Sequence, residues 1–314
     1  MLSNIGKQGI GMTDIVAQQV HADAPWRIPP RGWWEILKRV YGKLSANHIS
    51  LLSAGVAYYA FLSIAPLLLA VVLTYGLIGD TQLVADNVRS LITVVPQEAA
   101  KLIYEQLMAI VTTTKPAVGL GLLVALAFAV YGATRASSAT IEALNIIYEQ
   151  TEARSIFAFY RVSLGITFSA VLVVVVGVLT ASVIGFLETL TNGWGQIAIF
   201  LTKAITWIVA GMFASLIFAL IYRFGPHRRK ARWRWLTAGS VTATILWLLA
   251  TLAVSFYVSK FGNYNETYGS LGAVVVLQLW LYVSAFVVLL GAQLNQEAER
   301  QTTADTQIDE PPPQ

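Results

Sequence analysis

The chain has 314 residues, of which 56% are hydrophobic and only 12% are charged. A soluble globular protein carries about twice that charged fraction, so the composition indicates a membrane protein. The apolar residues lie in long uncharged runs that match the hydrocarbon thickness of a bilayer, which favours one polytopic helical domain over two soluble domains. Cysteine is absent, and this excludes disulfides, thiolate metal sites and a cysteine nucleophile.

The N-terminal residues 1–30 are predicted to form a cytoplasmic tail, because they are polar and lack the apolar core of a signal peptide. After them, over residues 31–49, apolar side chains recur at helical spacing with lysines and arginines among them. This pattern predicts an amphipathic helix that lies at the cytoplasmic headgroups. A cytosolic helix packed on the loops would show the same pattern, so both interpretations stay open.

Six runs of about 19 or more residues contain no Asp, Glu, Lys or Arg, and each predicts a transmembrane helix. Within the third run, Val171 to Leu187 is apolar without the alternation of membrane-barrel strands, which excludes that architecture. The predicted fold is therefore all-α, a polytopic membrane domain of six helices within residues 31–296. The six runs are Leu51 to Gly79, Pro116 to Thr134, Val162 to Leu187, Ala204 to Tyr222, Leu236 to Ser259 and Ser270 to Gln296.

Basic residues set the orientation of these spans. With the N-terminus in the cytoplasm, 16 of the 21 lysines and arginines fall on the cytoplasmic side and 5 on the outer side. The positive-inside rule therefore predicts that both termini are cytoplasmic. Six of the basic residues lie between Tyr222 and Leu236. They could form a nucleic-acid patch, but topology and contact with anionic headgroups explain them, and no nucleic-acid partner is expected.

Two segments outside the spans have a distinct composition. Residues 80–115 carry apolar positions at three- and four-residue steps on either side of Pro96, which predicts two short amphipathic helices. They would form an external cap over the bundle or a surface that binds a partner. Residues 297–314 are polar and proline-rich at their end, a composition that predicts a disordered cytoplasmic tail.

Pro66 lies in the middle of the first span, where it removes one backbone hydrogen bond and is expected to bend the helix. The carbonyl freed near Leu62 needs a partner such as a serine hydroxyl or a water molecule. The bend could serve as a hinge or a cavity wall, or it could be a packing kink.

The second span carries two sets of residues at helical spacing. Alanines and a serine at four-residue steps predict a face that allows close helix approach. Polar residues at steps of three and four predict a stripe near the cytoplasmic end of the same helix. The small residues are Ala125, Ala129, Ala133 and Ser137, and the polar stripe is Arg135, Ser138, Glu142 and Asn145.

We expect the polar stripe to face the bundle interior, because charged groups at that depth usually face protein or water rather than lipid. The alternative is a solvated helix end from which Arg135 reaches the headgroups. Polar side chains on the first and last spans would complete a cavity. They are Tyr58, Tyr59, Gln278, Tyr282 and Gln293.

Motifs of the common enzyme classes are absent from the sequence. It contains no HExxH, no paired-aspartate metal motif, no Walker loop and no GxSxG. We therefore predict no catalytic residue, no metal site and no cofactor, and we do not expect an enzyme. A homo-oligomer is compatible with the sequence.

Four segments together resemble the BrkB/YihY family of bacterial inner-membrane proteins, some of whose members are labelled ribonuclease BN. They are Ala54 to Pro66, Tyr131 to Tyr148, Tyr222 to Trp235 and Tyr268 to Asn295. Members of the family often have an acidic residue in the closing motif, where this chain has Gln293 to Asn295.

The resemblance implies a multi-pass protein of the bacterial inner membrane that contacts membrane lipids. It also implies transport of a lipid-like molecule or another solute, as a transporter or flippase. The alternative from a different class is a membrane scaffold that organises partners through its cap and tail. A ribonuclease is the least favoured function, because the sequence offers no cluster of carboxylates or histidines that would hold catalytic metal ions.

Overall fold

The computed structural model describes residues 25, 28–78, 118–190, 196–228, 233–261 and 270–300. The predicted all-α class is confirmed for this part of the chain, which contains helices and no strand. Residues 1–24, the predicted cap at 80–115 and the predicted tail after residue 300 lie outside the described residues. The helices are α1 (Pro30–Ala46), α2 (Ile49–Ile78), α3 (Val118–Ile147), α4 (Ile156–Leu190), α5 (Gln196–Phe224), α6 (Trp233–Phe261) and α7 (Ser270–Arg300).

Among these helices, four contain a segment long and apolar enough to cross a membrane. The segments are Ile156–Gly177, Ala204–Phe224, Thr237–Tyr257 and Gly272–Arg300. A shorter apolar segment, Ile49–Ile64, lies in α2. Helices α2 and α3 coincide in position with the first two uncharged runs. The fold is therefore compatible with six spans, and the count of six stays a prediction.

The helices extend beyond the uncharged runs that predicted them. The second run ends at Thr134, whereas α3 continues to Ile147, and α4 begins at Ile156 rather than Val162. Helix α7 continues to Arg300, so the predicted tail begins at least four residues later than position 297. A charged residue ends a hydropathy run but not a helix, because Arg, Glu and Ala are all good helix formers.

Helix α1 begins at Pro30, a position where the missing N–H of proline costs nothing. It ends at Ala46 rather than at residue 49, and His48 adopts a positive φ of 49° before α2 begins. The buried side chains Ile36 and Val40 pack against Leu294 and Ala298 of α7. One face of α1 is therefore attached to the end of the last helix.

The predicted close face of α3 packs as expected. Ala125, Ala129 and Ser137 are buried, and a Cβ atom added at Gly132 would lie 2.8 Å from Cβ of Ser63 in α2. Pro66 lies inside α2, which continues past it to Ile78. The hydroxyl of Ser63 donates to the carbonyl of Ala60 at 2.7 Å, so it does not satisfy the carbonyl near Leu62.

Helices α6 and α7 approach each other closely at two glycines. A Cβ atom added at Gly239 would lie 2.1 Å from the carbonyl oxygen of Gly291. Further along the same pair, the indole Nε1 of Trp247 donates to Ser284 at 3.0 Å. Among the described residues, a large buried cluster lies beside this contact, with Trp247 packed against it, and contains side chains from α2, α3, α5, α6 and α7. Its members include Ile49, Leu144, Ile147, Ile217, Phe218, Tyr222, Ala243 and Leu289.

Candidate functional site

The four residues of the predicted polar stripe do not share one buried face. Arg135 and Glu142 are exposed, Ser138 is half-buried, and Asn145 is 4% exposed. The expectation that all four turn inward together is therefore wrong. At 3.6 residues per turn, Glu142 comes seven residues after Arg135 and falls about 20° short of two full turns from it. Asn145 comes three residues later and falls about another 60° short of a full turn. This drift carries Asn145 from the exposed side of α3 to its packed edge.

The exposed side of α3 combines apolar and charged residues, and we call it the outer face. It consists of Val124, Phe128, Tyr131, Arg135 and Glu142, which follow one another at steps of four, three, four and seven residues. Such steps keep the five side chains within one side of a helix. A charged pair therefore continues the line of exposed apolar residues.

Tyrosines surround Arg135 on this face. Its Nε donates to the hydroxyl of Tyr131 at 3.2 Å, and its Cζ lies 5.2 Å from the centroid of the Tyr131 ring. Tyr59 of α2 and Tyr160 of α4 lie within electrostatic range of the same guanidinium, and both are exposed. Three neighbouring helices thus each contribute a tyrosine to the surroundings of one arginine.

The depth of Arg135 follows from its neighbour in sequence. The hydroxyl of Ser163 in α4 donates to the carbonyl of Thr134 at 3.2 Å. Ser163 lies seven residues into the candidate span that begins at Ile156, or about 10 Å along the axis. Arg135 is therefore level with a position about two turns inside that candidate segment and close to Val162, where the third uncharged run begins.

The other predicted cavity residues lie in separate places. Tyr58 is exposed beside Tyr59, with their ring centroids 5.7 Å apart. Tyr282 of α7 shares a 2.7 Å hydrogen bond with Ser50 of α2. Gln278, one turn earlier, has a buried Oε1 with no hydrogen-bond partner among the described residues. The structure does not gather the nine predicted side chains around one cavity.

Asn145 belongs to a polar cluster at the end of the bundle that carries α1. Its Nδ2 donates to Glu152 at 2.9 Å, and its Oδ1 accepts from the backbone N–H of His227 at 2.7 Å. Glu152 also pairs with Arg154 at 2.6 Å, and Arg154 donates to the carbonyl of Gly225 at 2.8 Å. These contacts fasten the end of α3 to the segments before α4 and after α5.

Gln293 is fully buried in the same end of the bundle, where it joins α7 to α1. Its Oε1 accepts from Asn47 at 2.8 Å, and its Nε2 donates to Gln296 at 2.8 Å. Glu297, one turn later, is 1% exposed and pairs with Arg39 of α1 at 2.9 Å. The amide therefore has a structural partner on each side.

Arg228 is buried, although the sequence predicted that the basic residues of its loop contact headgroups. It pairs with Glu299 at 2.6 Å, and the two side chains are 2% and 6% exposed. Its Cζ lies 3.8 Å from the centroid of the Tyr148 ring. The prediction is wrong for this arginine, because α7 extends far enough to supply its carboxylate partner.

Glu149 connects α1, α3 and α7. It accepts from Lys43 at 2.8 Å and also pairs with Arg300. Its φ is 53°, and the next N–H, of Gln150, closes a 2.8 Å bond to the carbonyl of Asn145 that ends α3. Partial burial alone would raise the pKa of Glu149, but hydrogen bonds from Lys43 and Arg300 outweigh it and lower that pKa.

Sequence reasoning missed the carboxylates at the end of α7, because it assigned them to the tail. A signal for them was present. Leu294 and Ala298 continue the apolar spacing of the last span, and both are buried against α1. Apolar residues at helical spacing predict that the helix continues, so Glu297 and Glu299 fall on its packed sides.

The outer face offers binding groups of both charges. A guanidinium binds phosphate and carboxylate oxygens, tyrosine hydroxyls donate or accept, and a carboxylate binds an ammonium group. Within the described residues, no group of three or more His, Cys, Asp or Glu side chains could hold a metal ion.

Comparison with known proteins identifies one family and several relatives. The profile of the family described as Virulence factor BrkB matches residues 40–314. The putative ribonuclease-like protein YfkH of Bacillus subtilis is 28% identical over 264 residues, which cover 82% of this chain and 93% of YfkH. No solved structure matches the chain.

Two further relatives are named only as membrane proteins. The UPF0761 membrane protein IL2447 of Idiomarina loihiensis is 30% identical over 109 residues, or 35% of this chain and 36% of that protein. A UPF0761 membrane protein of Alteromonas mediterranea is 33% identical over 122 residues, or 39% of each chain. These two matches cover well under half of the relatives' length.

Proposed function

The chain belongs to the BrkB family of integral membrane proteins, and we propose that it is a transporter- or flippase-like protein that moves a lipid-like molecule or another small solute. The proposal includes six spans in a bacterial inner membrane, with both termini in the cytoplasm. Enzymatic activity is not part of it.

The observation that carries the proposal is the charge on the outer face of α3. Arg135 is exposed at the end of the second uncharged run, about two turns inside the level of the candidate segment Ile156–Gly177, and its guanidinium stays charged at physiological pH. A charge within a membrane span costs free energy, up to about 3 kcal/mol at the centre of the span on insertion scales. A ligand that brings an opposite charge into the membrane offsets such a cost, and an amphiphilic solute is a ligand of this kind.

Helix α1 supports the membrane orientation within this proposal. Its face opposite the α7 contact exposes Trp34, Leu37 and Tyr41, which recur at steps of three and four residues. Lys38 lies 5.4 Å from the centroid of the Trp34 ring. An apolar stripe with aromatic and basic residues suits the headgroup region of the cytoplasmic leaflet. Reporter fusions test the orientation, since a phosphatase should be inactive after Arg229 and a fluorescent protein bright after Gln314.

A lipid-translocation assay tests the proposed transport. The full-length protein is reconstituted in vesicles that contain a phospholipid labelled on its acyl chain, and a membrane-impermeant reductant bleaches the label in the outer leaflet. We expect protein-containing vesicles to bleach beyond the half reached without protein, with or without an imposed membrane potential. The Arg135→Gln variant should translocate lipid at least tenfold more slowly. The control Arg161→Gln changes an exposed arginine on the neighbouring helix α4 and should match the wild type.

Two results would overturn the proposal. If bleaching of vesicles with the wild-type protein stops at one half, lipid transport is excluded and the membrane scaffold is favoured. Metal-dependent degradation of transfer RNA by the purified protein, lost in Glu142→Ala, would show that the chain is a ribonuclease.

A further inference from the structure

The outer face of α3 presents its groups in the order in which a phospholipid presents its own. In the proposed orientation, α3 runs from the outer side of the membrane towards the cytoplasm. The exposed apolar residues Val124 and Phe128 come first, Arg135 follows, and Glu142 lies nearest the cytoplasm. A phospholipid of the cytoplasmic leaflet presents acyl chains, phosphate and headgroup amine in that same order.

We propose that the outer face binds a phospholipid with a primary amine headgroup, with its phosphodiester on Arg135 and its ammonium on Glu142. This inference rests on the proposed function, because it names the substrate class of the same face and uses the proposed orientation. Ethanolamine phospholipid is the simplest ligand with this chemistry.

The hydrogen bonds of Arg135 leave its outer edge available. A guanidinium has five N–H donors, and the one on Nε is directed to the hydroxyl of Tyr131. Among the described residues, the structure records no further hydrogen bond from Arg135. The four donors on the two Nη atoms form the planar fork that binds a phosphate with two parallel hydrogen bonds.

The direction of Arg135 distinguishes a binding site from an arginine that reaches for water. A side chain that only relieves its burial extends towards the nearest aqueous surface, which for α3 is the cytoplasmic end. Arg135 instead contacts Tyr131, one turn back towards the middle of the membrane. The tyrosine therefore holds the guanidinium on the membrane side of the Arg135 Cα atom in the proposed orientation.

Glu142 is placed to bind the amine. It is exposed, and the structure records no ion pair or hydrogen bond for it among the described residues. Seven residues separate its Cα atom from that of Arg135, or about 10 Å along the axis. The two side chains extend from the same side of α3, so a ligand that lies along this side between them meets a cation at one end and an anion at the other.

Tyrosines complete the phosphate end of the site. Tyr131 is 59% exposed, and Tyr59 and Tyr160 are exposed on the helices to either side. Each hydroxyl is a donor that suits a phosphate oxygen at the membrane interface. Phe128, which is 61% exposed one turn deeper, supplies an apolar surface for the first part of an acyl chain.

Native mass spectrometry of the full chain in detergent tests the inference with four probes. Phosphatidylethanolamine carries the phosphate and the primary ammonium, while phosphatidylcholine has a methylated ammonium that cannot donate a hydrogen bond. Phosphatidylglycerol carries the phosphate alone, and free phosphoethanolamine lacks the acyl chains. We expect the wild type to bind phosphatidylethanolamine about tenfold more tightly than the other two lipids and more tightly than the free headgroup.

Three variants of Arg135 and Glu142, with Arg161→Gln as the control, assign the two ends of the headgroup. Glu142→Gln should lower the affinity for phosphatidylethanolamine to that for phosphatidylglycerol, because only the amine contact is lost. Arg135→Gln should lower the affinity for all three lipids about tenfold, and Arg161→Gln should leave every affinity unchanged. Arg135→Lys keeps the charge but not the fork, so it provides a folded variant in which phosphate binding still falls.

The outcomes separate this inference from the proposed transport. Equal binding of the three lipids, an unchanged preference in Glu142→Gln, or equal binding of free phosphoethanolamine would each overturn the inference. If phosphatidylethanolamine binds as predicted but is not translocated, the inference stands and the transport proposal fails. Translocation without any headgroup preference would give the reverse result.

Discussion

Arg228 and Glu299 form a buried ion pair whose partners come from the loop after α5 and the end of α7. Removing one charge leaves the other in a dry environment, which costs about 3 to 5 kcal/mol. We therefore expect Glu299→Gln to lower the thermal midpoint of the detergent-purified protein substantially.

Matched variants separate the loss of charge balance from the loss of packing. Glu152→Gln removes a more exposed pair, whose side chains are 12% and 25% exposed, and should cost about 1 kcal/mol or less. The double variant Arg228→Met with Glu299→Leu should recover much of the stability, because it leaves no buried charge. A Glu299→Gln protein as stable as the wild type would contradict the structural role assigned to this pair.

Glu149 gives the stability of the α1 end a defined pH dependence. Its pKa is lowered in the folded protein, so its contribution is present above the ordinary carboxyl pKa of about 4 and is lost as the pH falls through the lowered value. The thermal midpoint of the wild type should exceed that of Glu149→Gln at pH 7. The difference should shrink as the pH falls below about 4 and vanish only below the lowered pKa of Glu149. A difference that stays constant down to pH 3 would contradict the ion pairs with Lys43 and Arg300.

At the residue scale, the sequence singled out the relevant polar side chains, but it did not predict the direction in which they point. The spacing of Arg135 and Glu142 correctly puts both on one side of α3, but that side is exposed. Spacing fixes relative angles along a helix and leaves the absolute rotation to its packing partners. Gly132, which contacts Ser63 of α2, belongs to the contact that sets this rotation.

The contact between α6 and α7 is the element-scale feature with the least tolerance for change. A Cβ atom at Gly239 would meet backbone, the carbonyl oxygen of Gly291, at 2.1 Å. Gly239→Ala must therefore separate the two helices, and overpacking of this kind costs about 1 to 3 kcal/mol. Gly55→Ala is the control, because a Cβ atom there meets nothing within 4 Å. Equal thermal midpoints for both variants would show that the helices do not meet at Gly239.

Helix positions were largely predictable at this scale, whereas helix ends were not. Each of the six uncharged runs lies within or beside a helix of the structure, because bilayer-length apolar runs are a strong signal. The extension of α3 to Ile147 and of α7 to Arg300 depends on contacts between distant segments, such as Arg39 with Glu297. Hydropathy along the chain contains no information about such contacts.

The whole molecule divides its polar groups between two tasks. Those at the α1 end, such as Gln293 and Asn145, have protein partners and join α7 and α3 to the three segments that connect α1 with α2, α3 with α4, and α5 with α6. Those on the outer face of α3 have few partners among the described residues and remain exposed. The sequence predicted one polar cavity from both sets, because it could not show that packing separates them.

In the proposed function, the outer face of α3 meets lipid at its apolar end and reaches water near Glu142. The chain has no cysteine, so single-cysteine variants can be spin-labelled without a background signal. Labels at Phe128 and Glu142 report on the outer face, and a label at the buried Ala129 serves as the control. Collision rates with oxygen, which dissolves in lipid, and with an aqueous nickel complex distinguish the two environments.

We predict that in reconstituted vesicles the label at position 128 collides with oxygen and not with nickel, that the label at 142 collides with nickel, and that the label at 129 is reached by neither. A label at position 128 that is shielded from oxygen, or that is reached by nickel, would contradict a lipid-facing site on α3.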